Sequence, residues 1–295
     1  MPNIAFIGLG EAASALISGW GERAAAGIKV YDIKQDDPET LPEIEARSAI
    51  LGTRLASSAT DAVASADLVF CTVTADQAVA AAQNAAEDLP EACFWCDLNS
   101  CAPSSKIEAA RVIEAAGGRY VDVAVMSPVH PGLNMVPLLI SGPHATDIAP
   151  ILENLPMSPR VVEGAVGAAS SIKMLRSVMV KGLEALTAEC ALAAVAAGVE
   201  KEVLSSLNKS HPGKDWDAQA AYNFERSIVH GVRRAAEMEE VVKTLADLGL
   251  PADMARATVT WQRRIAGLGA AAPVNAEEMG ARAVAEGLLP KIQNI

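Results

Sequence analysis

An apolar run, Ile4-Ala5-Phe6-Ile7, breaks directly into Gly8-Leu9-Gly10-Glu11-Ala12-Ala13, and helix-forming sequence follows. A strand that must turn at once into a helix has few ways to do so. Glycine at the first position permits the tight turn, and glycine at the third lets a ligand approach the backbone. A small sixth residue lets the helix pack on the strand. The start of that helix offers N–H groups and the positive end of its dipole, which suits a pyrophosphate. A second strand-like segment, 29–32, ends in Asp32, 22 residues after Gly10. A carboxylate there can accept from ribose hydroxyls and repels the extra phosphate of NADP. The pattern points to a dinucleotide site built from Gly8, Leu9, Gly10, Glu11, Ala12 and Asp32. NAD is the expected cofactor, with NADP as the alternative because Lys34 lies close by. Thr72, Val73 and Asn99, which follow later strand-like runs, are the further cofactor-binding candidates.

The first half of the chain continues as it begins. Strand-like runs at 4–7, 29–32, 68–72, 93–97, 120–125, 138–141 and 160–162 alternate with helical patterns near 11–25, 42–51, 76–87, 104–116 and 146–153. Thr74 and Gln77 have the spacing of a capping box, and Pro103 suits the first turn of the fourth helix. Such alternation predicts a parallel sheet covered on both faces. After Gly164 the pattern changes. Residues 168–197 contain no proline and predict one helix roughly 45 Å long. More helix is expected at 200–208, 217–248, 252–266 and 275–287, the last with Asn275 and Glu278 as its capping pair. The expected fold is a doubly wound α/β Rossmann domain, 1–164, that binds the cofactor. An all-helical domain, 165–295, is expected to serve substrate binding and dimerisation.

Charge and composition narrow the partners. Asp plus Glu number 36 against 24 Lys plus Arg, a net charge of −12, so a nucleic-acid role is not expected. No uncharged apolar run reaches the roughly 18 residues of a membrane span. The N-terminus has no basic region followed by an apolar stretch, so a cytoplasmic protein without a membrane partner is expected. The five cysteines, 71, 93, 96, 101 and 190, are an odd number, and four lie in or beside apolar runs. They read as reduced, mostly buried thiols. Cys93 and Cys96 have metal or redox spacing, but no second pair matches it and residues three apart on a strand face opposite ways. No metal site is expected.

The Gly8 motif, the segment Asp97-Leu98-Asn99-Ser100-Cys101-Ala102-Pro103, the segment Asp122-Val123-Ala124-Val125-Met126-Ser127-Pro128, and Gly164 and Gly167 followed by Lys173 occur in the order of one family. The chain resembles the β-hydroxyacid dehydrogenases, the group of 6-phosphogluconate and 3-hydroxyisobutyrate dehydrogenases, and in particular a branch with a distinctive C-terminal domain. The resemblance implies that Asn99 and Ser100 border nicotinamide and substrate. It implies that 122–128 is the substrate loop, although Met126 stands where the family has Ser, Ser127 falls one place later and Pro128 replaces a Gly. His130 follows as another candidate ligand contact. Lys173 matches the family's catalytic lysine, and Ser177 stands where the family has Asn.

Oxidising an alcohol with NAD needs a base for the hydroxyl proton and a donor that orients the oxygen. Lys173 is the expected acid/base, with its pKa lowered by partial burial and by Arg176, and Ser177 the orienting donor. Lys173, Ser177 and Lys181 lie at i, i+4 and i+8, with Arg176 and Glu184 beside them. That row should face a cleft. A small anionic substrate would be held by Ser100, Ser127, His130, Arg176, His230 or Arg233, with Arg234 on the same helix as His230. An NAD(P)-dependent oxidoreductase acting on a small hydroxy acid or related alcohol is the expected function. An NADPH-dependent imine or ketone reductase is the sister reading, and a dinucleotide-sensing protein the non-enzyme one. The long apolar helix 168–197 predicts a homodimer.

Overall fold

The structure is a computed structural model that describes residues 2–273 and 275–293. It opens with β1 (Ile4–Ile7), α1 (Glu11–Trp20), the single turn α2 (Glu22–Ala25) and β2 (Lys29–Tyr31). Gly21, at φ 80°, splits the single helix expected over 11–25. Then follow α3 (Leu41–Leu51), β3 (Arg54–Leu55), α4 (Ala59–Val63), β4 (Leu68–Cys71), α5 (Ala78–Ala85), β5 (Phe94–Asp97) and α6 (Pro103–Ala115). The α/β part closes with β6 (Arg119–Val125), β7 (Pro137–Ser141), α7 (Ala145–Asn154) and β8 (Ser158–Val161). The short elements β3 and α4 have no signal in the sequence: two and five residues are too few to carry a period.

The eight strands form one sheet in the order β3-β2-β1-β4-β5-β6-β7-β8. Six run parallel. β7 pairs antiparallel with β6, with Asp122 opposite Ser141, which departs from the all-parallel expectation. The connection 126–136 explains it. It contains Pro128, Pro131 and Gly132 and is too short and too broken to hold a crossover helix, so the chain returns in the opposite direction. Alternate strand residues feed two cores. On one face Phe6, Leu68, Phe70, Phe94 and Ile140 pack with Leu16 and Ile17 of α1 and Ile148 and Leu152 of α7. On the other, Ile7, Val69 and Trp95 meet Val63, Ala82, Ala85, Ala109 and Ile113. Small residues there bring the helices close to the sheet.

Among the described residues five helices follow: α8 (Ala168–Ala197), α9 (Glu200–Ser210), α10 (Trp216–Asp247), α11 (Asp253–Gly267) and α12 (Ala276–Ile292). The chain divides inside α8 into two compact units, Met1–Met174 and Leu175–Ile295. The second has its own core, where Ala188, Leu192 and Val195 meet Trp216, Phe224, Trp261, Ile265, Val284 and Leu288. Two expected caps do not form. Thr74 makes no capping bond, and Gln77 donates instead to Asp76. Asn275 bonds Glu278 side chain to side chain and caps nothing. α12 breaks at Gly280, φ 78°, where a Cβ would stand 2.6 Å from Asp217 Oδ2, and Asp217 accepts from Ala281 N–H at 3.1 Å.

Candidate active site

The order of strands reverses between β1 and β4, which is where a doubly wound sheet opens a crevice at its carboxyl edge. The Gly8 loop leaves β1 there, and Thr72 and Val73 leave β4 beside it. Gly8 has φ +94°, and a Cβ on it would lie 2.7 Å from the Thr72 carbonyl oxygen. Thr72 Oγ1 donates to the Gly8 carbonyl at 2.9 Å, so the two loops brace each other. Gly10 is different: a Cβ there would meet nothing within 4 Å. That glycine is not demanded by neighbouring protein atoms. Its open side and the uncapped N-terminus of α1 form a cradle of the kind a pyrophosphate fills. Ala13 is fully buried against the sheet, as the sixth position of the motif requires.

Asp32 directly follows β2 and faces this loop. Its Oδ2 accepts from Leu9 N–H at 2.7 Å and its Oδ1 from Lys34 N–H at 3.0 Å. The carboxylate also caps the 3₁₀ turn Ile33–Asp36, with Gln35 completing the box. Two backbone donors therefore fix its direction, and each oxygen retains lone-pair capacity for a hydroxyl. Arg47 of α3 reaches the other side of Leu9 and donates to its carbonyl at 2.7 Å.

Below the carboxyl ends of β5 and β6 lies a cluster of charges the sequence did not announce as a site. Asp97 and Asp122 are register partners. Lys106 of α6 reaches both: its Nζ lies 2.9 Å from Asp97 Oδ1, 2.6 Å from the Asp97 carbonyl and 3.7 Å from Asp122 Oδ1. Tyr120 donates to Asp97 Oδ2 at 2.6 Å. All four residues are sealed from solvent. Burial works against the Lys106 ammonium, but Asp97, Cys101 and Asp122 outweigh it and hold its pKa above the ordinary lysine value. Burial, and then Asp97, push the Tyr120 hydroxyl well up as well.

This cluster aims the candidate catalytic groups. Asp122 Oδ2 accepts from Gly167 N–H, Ser170 N–H and Ser141 Oγ at 2.9–3.0 Å, and its Oδ1 from Ser170 Oγ at 2.5 Å. A carboxylate is thus set against the N-terminus of α8, where the helix dipole favours it. Lys173 stands one turn farther on. Asp97 Oδ1 accepts from Asn99 N–H at 2.9 Å, which fixes the loop that carries Ser100. The two meet: Lys173 Nζ donates to Ser100 Oγ at 2.6 Å, with both side chains half-buried. Asn99 is buried, donates to Cys71 Sγ at 3.3 Å and leaves its Oδ1 without a partner. The signal for the cluster was present. Lys106 occupies a position in the buried stripe 106, 109, 110, 113 of α6, and two carboxylates interrupt otherwise apolar strands.

The other expected residues are less gathered. Ser127 and His130 lie exposed in the 126–136 connection, and Ser127 donates only to the Pro128 carbonyl at 3.2 Å. Arg176, Ser177, His230 and Arg233 belong to the second unit. Ser177 is buried one helical turn beyond Lys173, whereas Arg176 is exposed. Arg233 is exposed with Nε 4.0 Å from Glu237, and His230 is half-buried. The polar row on α8 does not present all its members to a cleft. Lys181 pairs with Glu237, and Glu184 with Arg234, both on α10. These long side chains pair with one another inside the second unit, since a buried unpaired charge is strongly disfavoured.

Residues 3–156 match the family model described as the NAD binding domain of 6-phosphogluconate dehydrogenase. The chain belongs to that family. Residues 194–265 match a second model, a domain of unknown function named DUF1932, so this family member carries a DUF1932 segment in its helical unit. A conserved hypothetical protein from Sinorhizobium meliloti is similar at 36% identity, with a TM-score of 0.77 over 99% of this chain and 97% of that one. The conserved protein MTH1747, whose structure is described as similar to 3-hydroxyacid dehydrogenases, is 29% identical, with a TM-score of 0.67 over 89% and 96% of the two chains. The fold is shared with 3-hydroxyisobutyrate dehydrogenase of Mycobacterium tuberculosis, at 19% identity and a TM-score of 0.72 over 98% and 99%. The loop geometry suits this family's nucleotide: an open cradle at Gly10, a fixed carboxylate at Asp32 and an unmatched buried acceptor at Asn99.

Proposed function

We propose that this protein is an NAD-dependent dehydrogenase or reductase of a small hydroxy acid or related alcohol, with Lys173 as its general acid/base. The observation that carries the reading is the Lys173–Ser100 hydrogen bond at the carboxyl edge of the sheet, the edge on which the Gly8 loop also lies. The backbone of Gly8, Leu9, Gly10, Glu11 and Ala12 would hold the pyrophosphate, Asp32 the ribose hydroxyls, and Thr72, Val73 and Asn99 the walls beside them. When bound, the nicotinamide supplies the acceptor or donor of hydride. Lys173 does the proton work: its neutral amine takes the hydroxyl proton during oxidation, and its ammonium returns that proton during reduction. Ser100 fixes the direction of Nζ, and Ser177 offers a hydroxyl one turn away. For the substrate's anionic group the candidate contacts are Ser100, Ser127 and His130 within the first unit and Arg176, His230 and Arg233 within the second.

We further assign cofactor binding to residues 1–164, and substrate binding and dimerisation to 165–295. The protein acts as a cytoplasmic homodimer. The buried thiols of Cys71, Cys93 and Cys96 and the exposed thiol of Cys190 support a reducing compartment. No helix among the described residues is long and apolar enough to cross a membrane.

Lys173→Ala, assayed with a panel of hydroxy acids, is expected to lower kcat by about 10²–10⁴-fold while leaving NADH affinity nearly unchanged. Ser177→Ala should cost less, because only one neutral hydrogen bond is removed. Normal turnover by Lys173→Ala would overturn the assignment. Turnover of imines with NADPH and of no hydroxy acid would favour the sister reading, and nucleotide binding without turnover across both panels the sensing one.

A further inference from the structure

Asp32 does not stand alone at the ribose end of the Gly8 loop. Two cations flank it. Lys34 gives Asp32 its backbone N–H, and its side chain is just over half exposed. Arg47 holds the Leu9 carbonyl, while Asp32 holds the N–H of the same residue. A lysine and an arginine around this position are what a phosphate on the ribose would seek, the arginine especially, since its planar fork matches phosphate oxygens. One carboxylate stands between them. Glu43, in the first turn of α3, places Oε1 2.6 Å from Arg47 Nη2 and Oε2 3.9 Å from Lys34 Nζ. Each carboxylate oxygen serves one cation. The Arg47 guanidinium is further committed to Leu9, so two of its donor groups are occupied.

We propose that Glu43 is a specificity-determining residue. By drawing Arg47 into a hydrogen-bonded ion pair and offsetting part of the positive charge it shares with Lys34 at the rim of the Gly8 loop, it weakens their attraction for a ribose 2′-phosphate, and so keeps the site selective for the nucleotide without that phosphate. The inference rests on the reading of Gly8–Ala12 and Asp32 as the dinucleotide site. Asp32 supplies repulsion and a hydroxyl acceptor; Glu43 removes the compensating attraction. Three carboxylates lie near the rim, since Asp36 accepts from Tyr31 Oη at 2.5 Å, but among the described residues only Glu43 bridges the two cations. The Glu43 side chain is half exposed. Neutralising it removes a charge without opening the core.

The test is Glu43→Gln, in which the amide oxygen can still accept from Arg47 but the charge is gone. NADH and NADPH are titrated separately against wild type and variant by nucleotide fluorescence, at low and at high salt. The wild type is expected to prefer NADH. The variant is expected to bind NADPH about tenfold more tightly than wild type, the worth of one charge-assisted hydrogen bond, with NADH affinity changed less than about twofold, the effect of a screened surface charge. The gain should shrink in high salt, and Glu43→Gln combined with Arg47→Ala should abolish it. NADH binding by wild type together with an unchanged NADPH affinity in Glu43→Gln overturns the role of Glu43 and leaves the dinucleotide site standing. Loss of both nucleotides in the variant also overturns it, by making Glu43 a support for the loop. A wild type that binds neither nucleotide overturns the site reading and this inference together.

Discussion

At the scale of the residue, the buried cluster under Lys173 combines three formal charges, Asp97, Asp122 and Lys106, without solvent. It holds because every carboxylate oxygen is met by a donor and the helix end adds positive potential. The same burial makes the first unit alkali-sensitive. Burial raises the Cys71 and Cys96 thiols above their ordinary 9.0. Tyr120 is raised above 10.0 by burial and Asp97, and Lys106 above 10.5 because its partners outweigh burial. In each case the unfolded chain gives up its proton at lower pH than the folded one. Above the unfolded values the folded state therefore binds more protons, and stability falls as pH rises. The urea midpoint should decline from about pH 9 upward, steepening past about 10. Tyr120→Phe should show a shallower decline above 10, though a lower midpoint at neutral pH from the lost bond to Asp97. A midpoint flat from pH 8 to 11 would contradict the assignment. Asp32, Asn99 and Lys173 were readable because glycine spacing and motif order point at them. Lys106 showed only as a lysine in a buried helical stripe, and Tyr120, Ser141 and Ser170 not at all, because their partners come from other elements and only the folded sheet brings them together.

At the scale of the element, the Gly8 loop contains two glycines with opposite justifications. Gly8 is required by its own chain: its φ of +94° is a conformation L residues avoid, and a Cβ would press on the Thr72 carbonyl. Gly10 has φ −83° and open space around it. Gly8→Ala should therefore lower the melting temperature and remove nucleotide binding. Gly10→Ala should keep the melting temperature within about a degree or raise it slightly, since alanine restricts the unfolded chain, and still lose most NADH affinity. Thermal unfolding alongside NADH titration separates them; a Gly10→Ala protein with wild-type affinity would mean that the cradle is not used. The long elements were plain in the sequence: β1, α8 and α10 lie within a residue or two of expectation because many periodic positions agree. The split at Gly21, the return of β7 and the break at Gly280 depend on single backbone conformations, which hydrophobic periodicity does not encode.

At the scale of the whole molecule, the second unit leaves apolar surface uncovered. Leu175, Met179 and Leu186 of α8 are 42%, 63% and 58% exposed, and Val232 of α10 is 76% exposed. Spacings of four and seven residues put the α8 members along one side of the helix. On a chain with net charge −12, such a stripe is not solvated by accident. Light scattering at micromolar concentration should report a dimer whose interface exceeds roughly 2,000 Å². Met179→Glu with Leu186→Glu should yield monomers, and a monomeric wild type would remove the dimer from the proposal. The fold class followed from strand–helix alternation alone, whereas the pairing of Lys181 and Glu184 with α10 depended on how those helices pack.

The joint between Asp122 and the first turn of α8 has an evolutionary consequence. Lys173 takes its position from the sheet, through Ser170, Gly167 and the carboxylate beneath them. Sequence downstream of that joint can drift or lengthen while the hydrogen bonds to Asp122 hold the first turn of the helix to the sheet. Such a chain is free to keep one anchored helix start and exchange what is built upon it.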